Sequence, residues 1–548
     1  MKKILIVPEP KNVKTTGKQF VFDGFENLPS FIAQEFNVSK GSWRITKAEQ
    51  PGTGIEIKEN HVTIWGDENV AYASILQLLS QNPERLPEAR IEESFSFKFR
   101  GYHLDIARGG VPTVKTFKKI LRWLFLLKYN YFAVYFEDLF PWEKHPSIGK
   151  HRGKLTPEEW KEITQYGSNL GIEVLPSLEL CGHMEQILIL PEYRKYSEWH
   201  RPQEGCLDIS NEEARKLAYE LLEEAVAKSS STYIHIGGDE TWALGRGRSL
   251  NKTWTFQGPK LYEEHHCKMV EIVKNAGKQP ILWGDMISGM YLRHDAEKWA
   301  EAIKSDIWKE VLVANWDYSP SSKQHFLDRM KPFVDRGIQQ IACPGFSNWR
   351  KYYPNFQTAT ENIRNFLAAA KETGLPGFLV TAWGDDGEEC LFSHLEPLLL
   401  FTMETAEGTG GWKEKWMALT GETEKVLKAR ILFGDPAVSE NIRRVIYREF
   451  GFSRLTVEEK RDLKTRWEKT LKEIENVCLP KDLEFIRQLV ETGTRILAGD
   501  NVKVSEYIAL SKMFSELWLA ERKPEGLERI VARFWGAAGK EDLKLFGG

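Results

Sequence analysis

The sequence predicts an α/β protein built on a (β/α)8 TIM barrel, with a small N-terminal α+β domain and a helical C-terminal domain. Strand and helix patterns alternate regularly from Phe97 to about residue 410, as expected for βα units around a parallel sheet. Polar motifs follow the ends of the apolar runs, where barrels of this kind bind ligands. We therefore expect domains at residues 1–95, 96–410 and 411–548.

The N-terminal segment mixes short strand patterns with one helix pattern. Ile4–Val7, Gly54–Ile57 and Val62–Trp65 are short β-like runs. Asn69–Ser80 has apolar residues at helical spacing, including Ile75 and Leu79. This mixture predicts a small α+β domain.

Eight apolar runs in the middle of the chain are candidate barrel strands. They are Phe97–Ile106, Tyr131–Phe136, Glu173–Leu178, Thr232–Gly237, Pro280–Trp283, Val311–Trp316, Gln339–Cys343 and Gly377–Trp383. Helical patterns lie between them at Thr116–Leu127, Pro157–Leu170, Glu212–Ala227, Lys260–Asn275 and Thr360–Lys371. A count of eight strands is that of a (β/α)8 barrel.

After about Gly411 the sequence becomes charged and rich in helix patterns. The candidates are Glu458–Val477, Lys481–Ala498 and Val504–Ala520, which predict a helical C-terminal domain. Their charged faces are most simply solvated surface. A homodimer contact and a wall of the active-site cleft remain open alternatives.

Composition and charge exclude several classes of protein. The chain has 548 residues and 42% hydrophobic residues, enough for a sizeable core, and its formal net charge of -3 gives no sign of nucleic-acid binding. The apolar run near Met1 is too short for a secretory signal, and no stretch approaches the length of a membrane span. Six scattered cysteines indicate no disulfide framework. We expect a cytoplasmic protein with no membrane contact.

Two adjacent carboxylates follow an apolar run at Tyr233–Thr241. Gly237 and Gly238 end the run, and Asp239 and Glu240 come directly after them. Neighbours on extended backbone point to different sides, so these two acids must act on different atoms. Cleavage of a 2-acetamido sugar uses such a pair, because one acid protonates the glycosidic oxygen while the other orients the acetamide that attacks C1. A solvated turn is the ordinary interpretation of an Asp-Glu pair, but the glycines and the strand disfavour it.

The run His235-Ile-Gly-Gly-Asp-Glu240 resembles the active-site motif of the family 20 glycoside hydrolases, the β-N-acetylhexosaminidases. The segments that agree with the family in order are Phe99–Arg108, Val174–His183 and Thr381–Asp386. Those that are similar to its intracellular hexosaminidase D-like branch are Tyr135–Trp142 and Leu244–Arg248. The resemblance implies an exo-acting, retaining enzyme that takes carbohydrates with a terminal N-acetylhexosamine and uses no metal and no organic cofactor.

The resemblance also implies roles for individual residues. Glu240 is the general acid/base, and Asp239 binds the acetamide N–H and stabilises the developing positive charge. Arg100 binds sugar hydroxyls, and Asp138 matches a family acid. Tyr318 holds the acetamide oxygen, with a buried tyrosine bonded to backbone as an equal alternative.

The remaining candidates also follow predicted strands. His183 would orient a catalytic carboxylate, and Asp385 would accept hydrogen bonds from sugar hydroxyls, with Asp386 and Glu388 as rivals. Four tryptophans either form an apolar box around the N-acetyl methyl or belong to the core. They are Trp283, Trp316, Trp349 and Trp383.

Two other functions fit part of the pattern. A metal-dependent hydrolase would use the set His183, Asp239, Glu240, Asp285 and Asp385, but the chain has no His-Xaa-His on the first strand and no His-Glu-Xaa-Xaa-His. A catalytically silent carbohydrate-binding barrel would keep the tryptophans and lose the acid pair. Because the pair is present, we favour the glycosidase.

Overall fold

The computed structural model describes residues 4–290, 296–449 and 451–539. The N-terminal region holds a five-stranded sheet in the order β1-β5-β3-β4-β2. The strands are β1 (Asn12–Val21), β2 (Arg44–Lys47), β3 (Thr53–Lys58), β4 (His61–Trp65) and β5 (Arg85–Glu93). The helices are α1 (Ser30–Glu35) and α2 (Glu68–Gln81). Asp67 caps α2 by accepting two backbone N–H groups, as expected for an aspartate at this position.

The apolar run Ile4–Val7 is not a strand, so that prediction is wrong. Val7 is buried, but its backbone bonds go to a side chain and not to a neighbouring strand. The Gln77 amide on α2 accepts the Val7 N–H at 2.8 Å and donates to the Val7 carbonyl at 2.7 Å. The same amide donates to the Leu126 carbonyl. One buried glutamine thus fixes the N-terminal segment against α2.

Eight parallel strands close into a barrel, which confirms the predicted fold class. They are β6 (Phe99–Asp105), β7 (Tyr131–Phe136), β8 (Glu173–Leu178), β9 (Tyr233–His235), β10 (Gln279–Trp283), β11 (Leu312–Trp316), β12 (Gln340–Cys343) and β13 (Gly377–Ala382). Each predicted strand is present within two residues at either end. Pairing of β13 with β6 closes the ring. All eight carboxyl ends therefore meet on one face.

Helices surround the barrel and connect its strands. They are α3 (Val114–Leu126), α4 (Pro157–Asn169), α5 (Glu185–Leu188), α6 (Glu212–Ala227), α7 (Arg248–Thr253), α8 (Gly258–Asn275), α9 (Asp285–Ser288), α10 (Ala296–Trp299), α11 (Lys323–Val334), α12 (Phe356–Thr373) and α13 (Glu396–Glu407). All five predicted helices are found among them. Short 3₁₀ helices lie at Arg194–Tyr196, Pro202–Glu204, Ala302–Lys304, Asp306–Glu310 and Phe392–His394.

The C-terminal region is helical, as predicted. Its helices are α14 (Trp412–Thr420), α15 (Glu424–Phe433), α16 (Pro436–Ser439), α17 (Ile442–Ile446), α18 (Val457–Glu473), α19 (Lys481–Ala498), α20 (Val504–Glu521) and α21 (Leu527–Ala538). One buried apolar cluster runs through the N-terminal sheet, the barrel and these helices. The three-domain division stays a prediction. Among the described helices, none has the length and apolar character needed to cross a bilayer.

We expect Gln77→Leu to destabilise the protein, because it removes three hydrogen bonds to backbone groups of Val7 and Leu126. Buried backbone groups left without partners should lower the free energy of unfolding by about 2 kcal/mol or more. Urea denaturation measures this change. Gln165→Leu is the control, since Gln165 is exposed and its side chain donates to Asn169 on its own helix. Equal unfolding midpoints for the two variants would contradict the assigned role.

Candidate active site

The carboxyl ends of the barrel strands open into a cleft of about 480 Å³, which we call the barrel cleft. Its volume suits a small ligand. The lining residues are Arg108, His183, Glu185, Asp239, Glu240, Trp283, Trp316, Tyr318, Trp349, Trp383, Asp385 and Asp386. Nine of the eleven site residues expected from the sequence are in this list. The two that are missing are Arg100 and Asp138.

Two glycines bring the acid pair into the barrel cleft. Strand β9 ends at His235 because Gly237 and Gly238 adopt left-handed backbone, with φ of 67° and 99°. A Cβ on Gly238 would lie 2.6 Å from the Tyr262 hydroxyl, so the close packing here admits no side chain. The backbone turns at this point, and Asp239 and Glu240 follow directly.

His183 lies between the two acids. Its Nε2 is 3.5 Å from Oδ2 of Asp239 and 3.4 Å from Oε2 of Glu240. Burial opposes charge on the imidazole, but Asp239 and the hydrogen bonds to both acids hold the pKa of His183 well above its usual range. The cationic ring therefore links the two carboxyl groups.

Glu179, which the sequence analysis missed as a site residue, is buried beside the acid loop. Its Oε2 accepts the backbone N–H of Gly238 at 3.5 Å, and the charge of Asp239 acts on its carboxyl group. Burial, followed by the charge of Asp239, raises the pKa of Glu179 well above its usual range. Burial would also raise the pKa of Asp239, but the charge and the hydrogen bond of His183 lower it. The proton therefore stays on Glu179, and Asp239 stays ionised.

Asp285, which the sequence analysis named only in the metal-dependent alternative, is a second acid of the site. It is 2% exposed. Its Oδ2 accepts the backbone N–H of Glu240 at 2.9 Å, and its Oδ1 accepts the indole N–H of Trp316 at 3.1 Å. Burial and the charge of Asp239 raise the pKa of Asp285 to about 8. One side chain thus connects the acid loop to an aromatic wall.

Five aromatic side chains form that wall. The indole N–H of Trp383 donates to the Tyr318 hydroxyl at 2.7 Å. The Tyr318 ring stacks on Trp316 with centroids 5.1 Å apart and contacts Trp349 at 5.2 Å. Trp283 lies 5.8 Å from Trp383. The four predicted tryptophans and Tyr318 therefore make one continuous apolar surface in the barrel cleft.

Two histidines lie beneath this wall in the barrel interior. The His103 ring is 4.9 Å from Trp383, and the His235 ring is 4.3 Å from Trp283. Burial lowers the pKa of each histidine to about 3, so both rings are neutral. The two neutral rings pack against the tryptophans and place no positive charge in the barrel interior beneath Asp239 and Glu240.

Arg100 requires a correction, because the structure does not bring it to the barrel cleft. It is the second residue of β6 and lies at the amino end of the barrel, away from the acids. Its Nε donates to the Lys128 carbonyl and its Nη1 to the Phe97 carbonyl, both at 2.9 Å. Its guanidinium packs over the Phe95 ring at 4.0 Å. These contacts make Arg100 a structural residue.

Arg108, at the other end of the same segment, is the arginine in the barrel cleft. It donates to Asp105 at 2.6 Å and lies 3.1 Å from Glu137. Asp105 also accepts the backbone N–H of Gly384 at 2.9 Å, which holds Arg108 close to Asp385. Arg108 and Asp105 thus form an ion pair. Its position after the strand end was the signal that favours Arg108 over Arg100.

Asp138 also requires a correction. It is 1% exposed, and its Oδ1 accepts a bond from Arg152 at 2.5 Å, outside the barrel cleft. The preceding residue, Glu137, points the other way and faces Arg108. Burial raises the pKa of Glu137 to about 8, although Arg108 opposes the shift. Glu137 is therefore the acid of this segment next to the cleft.

Asp385 lines the barrel cleft as expected, and its rival Asp386 lines it too. Burial raises the pKa of Asp385, with Arg108 opposing. Asp386 binds Arg443 and Arg533 of the C-terminal helices, both at 2.8 Å. Glu388 is buried and is not among the lining residues.

One metal-like cluster occurs among the described residues. Ligand atoms of Glu137, His183 and Glu185 lie within 4.8 Å of one another. The guanidinium of Arg108 is next to Glu137, and His183 carries a positive charge. These charges disfavour a divalent cation. Absence of a metal stays a prediction.

Comparison with known proteins shows which family the chain is similar to. A model of the glycosyl hydrolase family 20 catalytic domain matches residues 97–389. Hexosaminidase D of Bos taurus is 26% identical over 307 residues, which cover 51% of this chain and 83% of that protein. Beta-hexosaminidase of Porphyromonas gingivalis is 24% identical over 380 residues, covering 62% of this chain and 47% of that protein. The chain thus matches less than half of the bacterial relative.

Solved structures have the same fold. The beta-N-acetylhexosaminidase from Bacteroides fragilis superposes with a TM-score of 0.60 at 20% identity, covering 75% of this chain and 92% of that one. The chitobiase from Flavobacterium johnsoniae gives a TM-score of 0.58 at 17% identity, covering 97% and 98%. The family model covers more than half of the chain, including every barrel strand. The chain is therefore a glycoside hydrolase and belongs to glycosyl hydrolase family 20.

Proposed function

We propose that this hydrolase is an exo-acting β-N-acetylhexosaminidase that removes terminal N-acetylglucosamine, N-acetylgalactosamine or both. Family membership and relatives named hexosaminidases support the reaction class. The observation that carries the proposal is the acid pair with His183 between its members, in which Asp239 is kept ionised by the proton on Glu179. Such an arrangement suits two acids with different tasks.

The proposed chemistry is substrate-assisted and retains configuration. The Asp239 carboxylate accepts the acetamide N–H, and the acetamide oxygen attacks C1 while Glu240 gives its proton to the leaving glycosidic oxygen. The bond from C1 to the leaving oxygen breaks, and an oxazolinium ring forms whose positive charge Asp239 stabilises. Water then attacks C1 and gives a proton to Glu240. Two inversions at C1 result in retention.

The remaining cleft residues fit binding of one terminal sugar. The Tyr318 hydroxyl would donate to the acetamide oxygen, and the tryptophan wall would pack against the acetamide methyl and the apolar sugar face. Arg108 and Asp385 would bind the hydroxyls far from the leaving group, which makes the enzyme exo-acting. Arg108 takes the role first expected of Arg100. A cytoplasmic location and a homodimer stay predictions from the sequence.

Glu240→Gln should remove the proton donor and lower kcat by about 10²–10⁴-fold. The assay is release of nitrophenol from 4-nitrophenyl N-acetyl-β-glucosaminide, with the galacto epimer in parallel and with a chelator present. Glu458→Gln, at an exposed position of α18, is the matched control and should leave activity unchanged. Full activity of Glu240→Gln, or loss of wild-type activity in the chelator, would contradict the proposal.

Glu179→Gln should extend activity to higher pH. The raised pKa of Glu179 means that its proton is present at low pH and is lost as pH rises, when two carboxylates would face each other beside the acetamide. A glutamine side chain is neutral at every pH, so the alkaline limb of kcat/KM should move upward. Asp239→Asn should instead lower kcat across the whole profile. If the alkaline limb of Glu179→Gln does not move, loss of the Glu179 proton does not limit activity at high pH.

A further inference from the structure

The C-terminal helical region reaches two loops of the barrel cleft. The first, the β6 loop, comprises residues 106–113 and carries Arg108. The second, the β13 loop, comprises residues 384–392 and carries Asp385. We propose that Arg443 and Arg533 are positioning residues for the terminal-sugar site, acting through Asp386 of the β13 loop. This inference rests on the proposed function.

Two arginines from different helices hold Asp386. Arg443 of α17 donates to Oδ2 at 2.8 Å, and Arg533 of α21 donates to Oδ1 at 2.8 Å. Each oxygen of the carboxylate therefore has its own charge-assisted bond. Both arginines also contact Glu389, whose side chain is fully buried. Two helices thus fix the residue directly after Asp385.

Arg522 fixes the backbone of the β13 loop. Its Nη1 donates to the Glu388 carbonyl at 2.9 Å and its Nη2 to the Cys390 carbonyl at 2.5 Å. The guanidinium packs over Phe392 at 4.3 Å and Trp518 at 4.6 Å, and the residue is 1% exposed. The loop is therefore held both at its side chains and along its main chain.

The same part of the chain holds the β6 loop. The backbone N–H of Lys523 donates to the Val111 carbonyl at 2.8 Å, and Arg529 donates to the carbonyl of Arg108. A Cβ on Gly526 would lie 2.0 Å from the Gly109 carbonyl oxygen. The backbone at Gly526 therefore packs against the β6 loop too closely for any side chain. Residues 521–533 thus contact both loops that carry the proposed hydroxyl-binding residues.

This arrangement has a specific kinetic consequence. Arg108 and Asp385 would bind sugar hydroxyls away from C1, so their contacts are made alike in the ground state and the transition state. Loss of such contacts raises KM and leaves kcat nearly unchanged. A purely structural ion-pair network would instead change thermal stability without this split.

Arg533→Gln tests the inference, because Arg443 still pairs with Asp386 and Glu389 and keeps the fold intact. We expect KM for 4-nitrophenyl N-acetyl-β-glucosaminide to rise about tenfold, with kcat changed less than about twofold. Arg533→Lys should recover part of the loss. In an Asp386→Asn background, Arg533→Gln should add little, since both changes act through one contact. Arg487→Gln, which removes an ion pair within α19, is the control and should leave KM unchanged.

Amide hydrogen exchange of the β13 loop separates this inference from the proposed function. Arg533→Gln should speed exchange in residues 384–392 relative to Arg487→Gln, whether or not the substrate is turned over. Equal exchange in the two variants would overturn the positioning role. So would a KM of Arg533→Gln equal to that of the unmodified protein, provided that the unmodified protein is active. Failure of the unmodified protein to release nitrophenol would instead count against the proposed function, and the exchange result would still decide the role of Arg533.

Discussion

The distribution of protons among buried acids is the constraint on which the site depends. Asp239 has to remain ionised although it is buried, and a buried carboxylate is costly without a compensating partner. The cationic His183 on one side and the protonated Glu179 on the other provide that compensation. The glycine pair before Asp239 and the backbone bond from Glu240 to Asp285 place the two acids where these partners lie.

The aromatic wall strengthens the electrostatic interactions in the barrel cleft. The stacked and tilted rings exclude water, and the lower local dielectric strengthens interactions between the acids, His183 and a bound sugar. Asp285 joins this wall to the acid loop through Trp316. The neutral histidines His103 and His235 support the wall from below. Shape and charge in the site are therefore set by the same few contacts.

The sequence predicts the barrel well because its strands are buried on both faces and appear as apolar runs. Strand β1 was missed because most of its side chains are exposed. The family motif identified the acid pair. Arg100 was chosen over Arg108 through the family resemblance, although the strand-end rule favours Arg108. Glu179 directly follows β8, so its place at a strand end was a signal for it. Its effect on Asp239 and the contacts of Asp386 depend on residues distant in sequence, which no local pattern reports.

The most direct test of the account is the rate of hydrolysis across 4-nitrophenyl glucosaminides whose N-acetyl group carries zero, one, two or three fluorines. Fluorine withdraws electrons from the acetamide oxygen and weakens it as a nucleophile. If that oxygen attacks C1 while Asp239 holds the N–H, kcat/KM should fall steeply with each fluorine. A flat series would show that an enzyme group or water attacks instead, and would contradict the assigned role of Asp239.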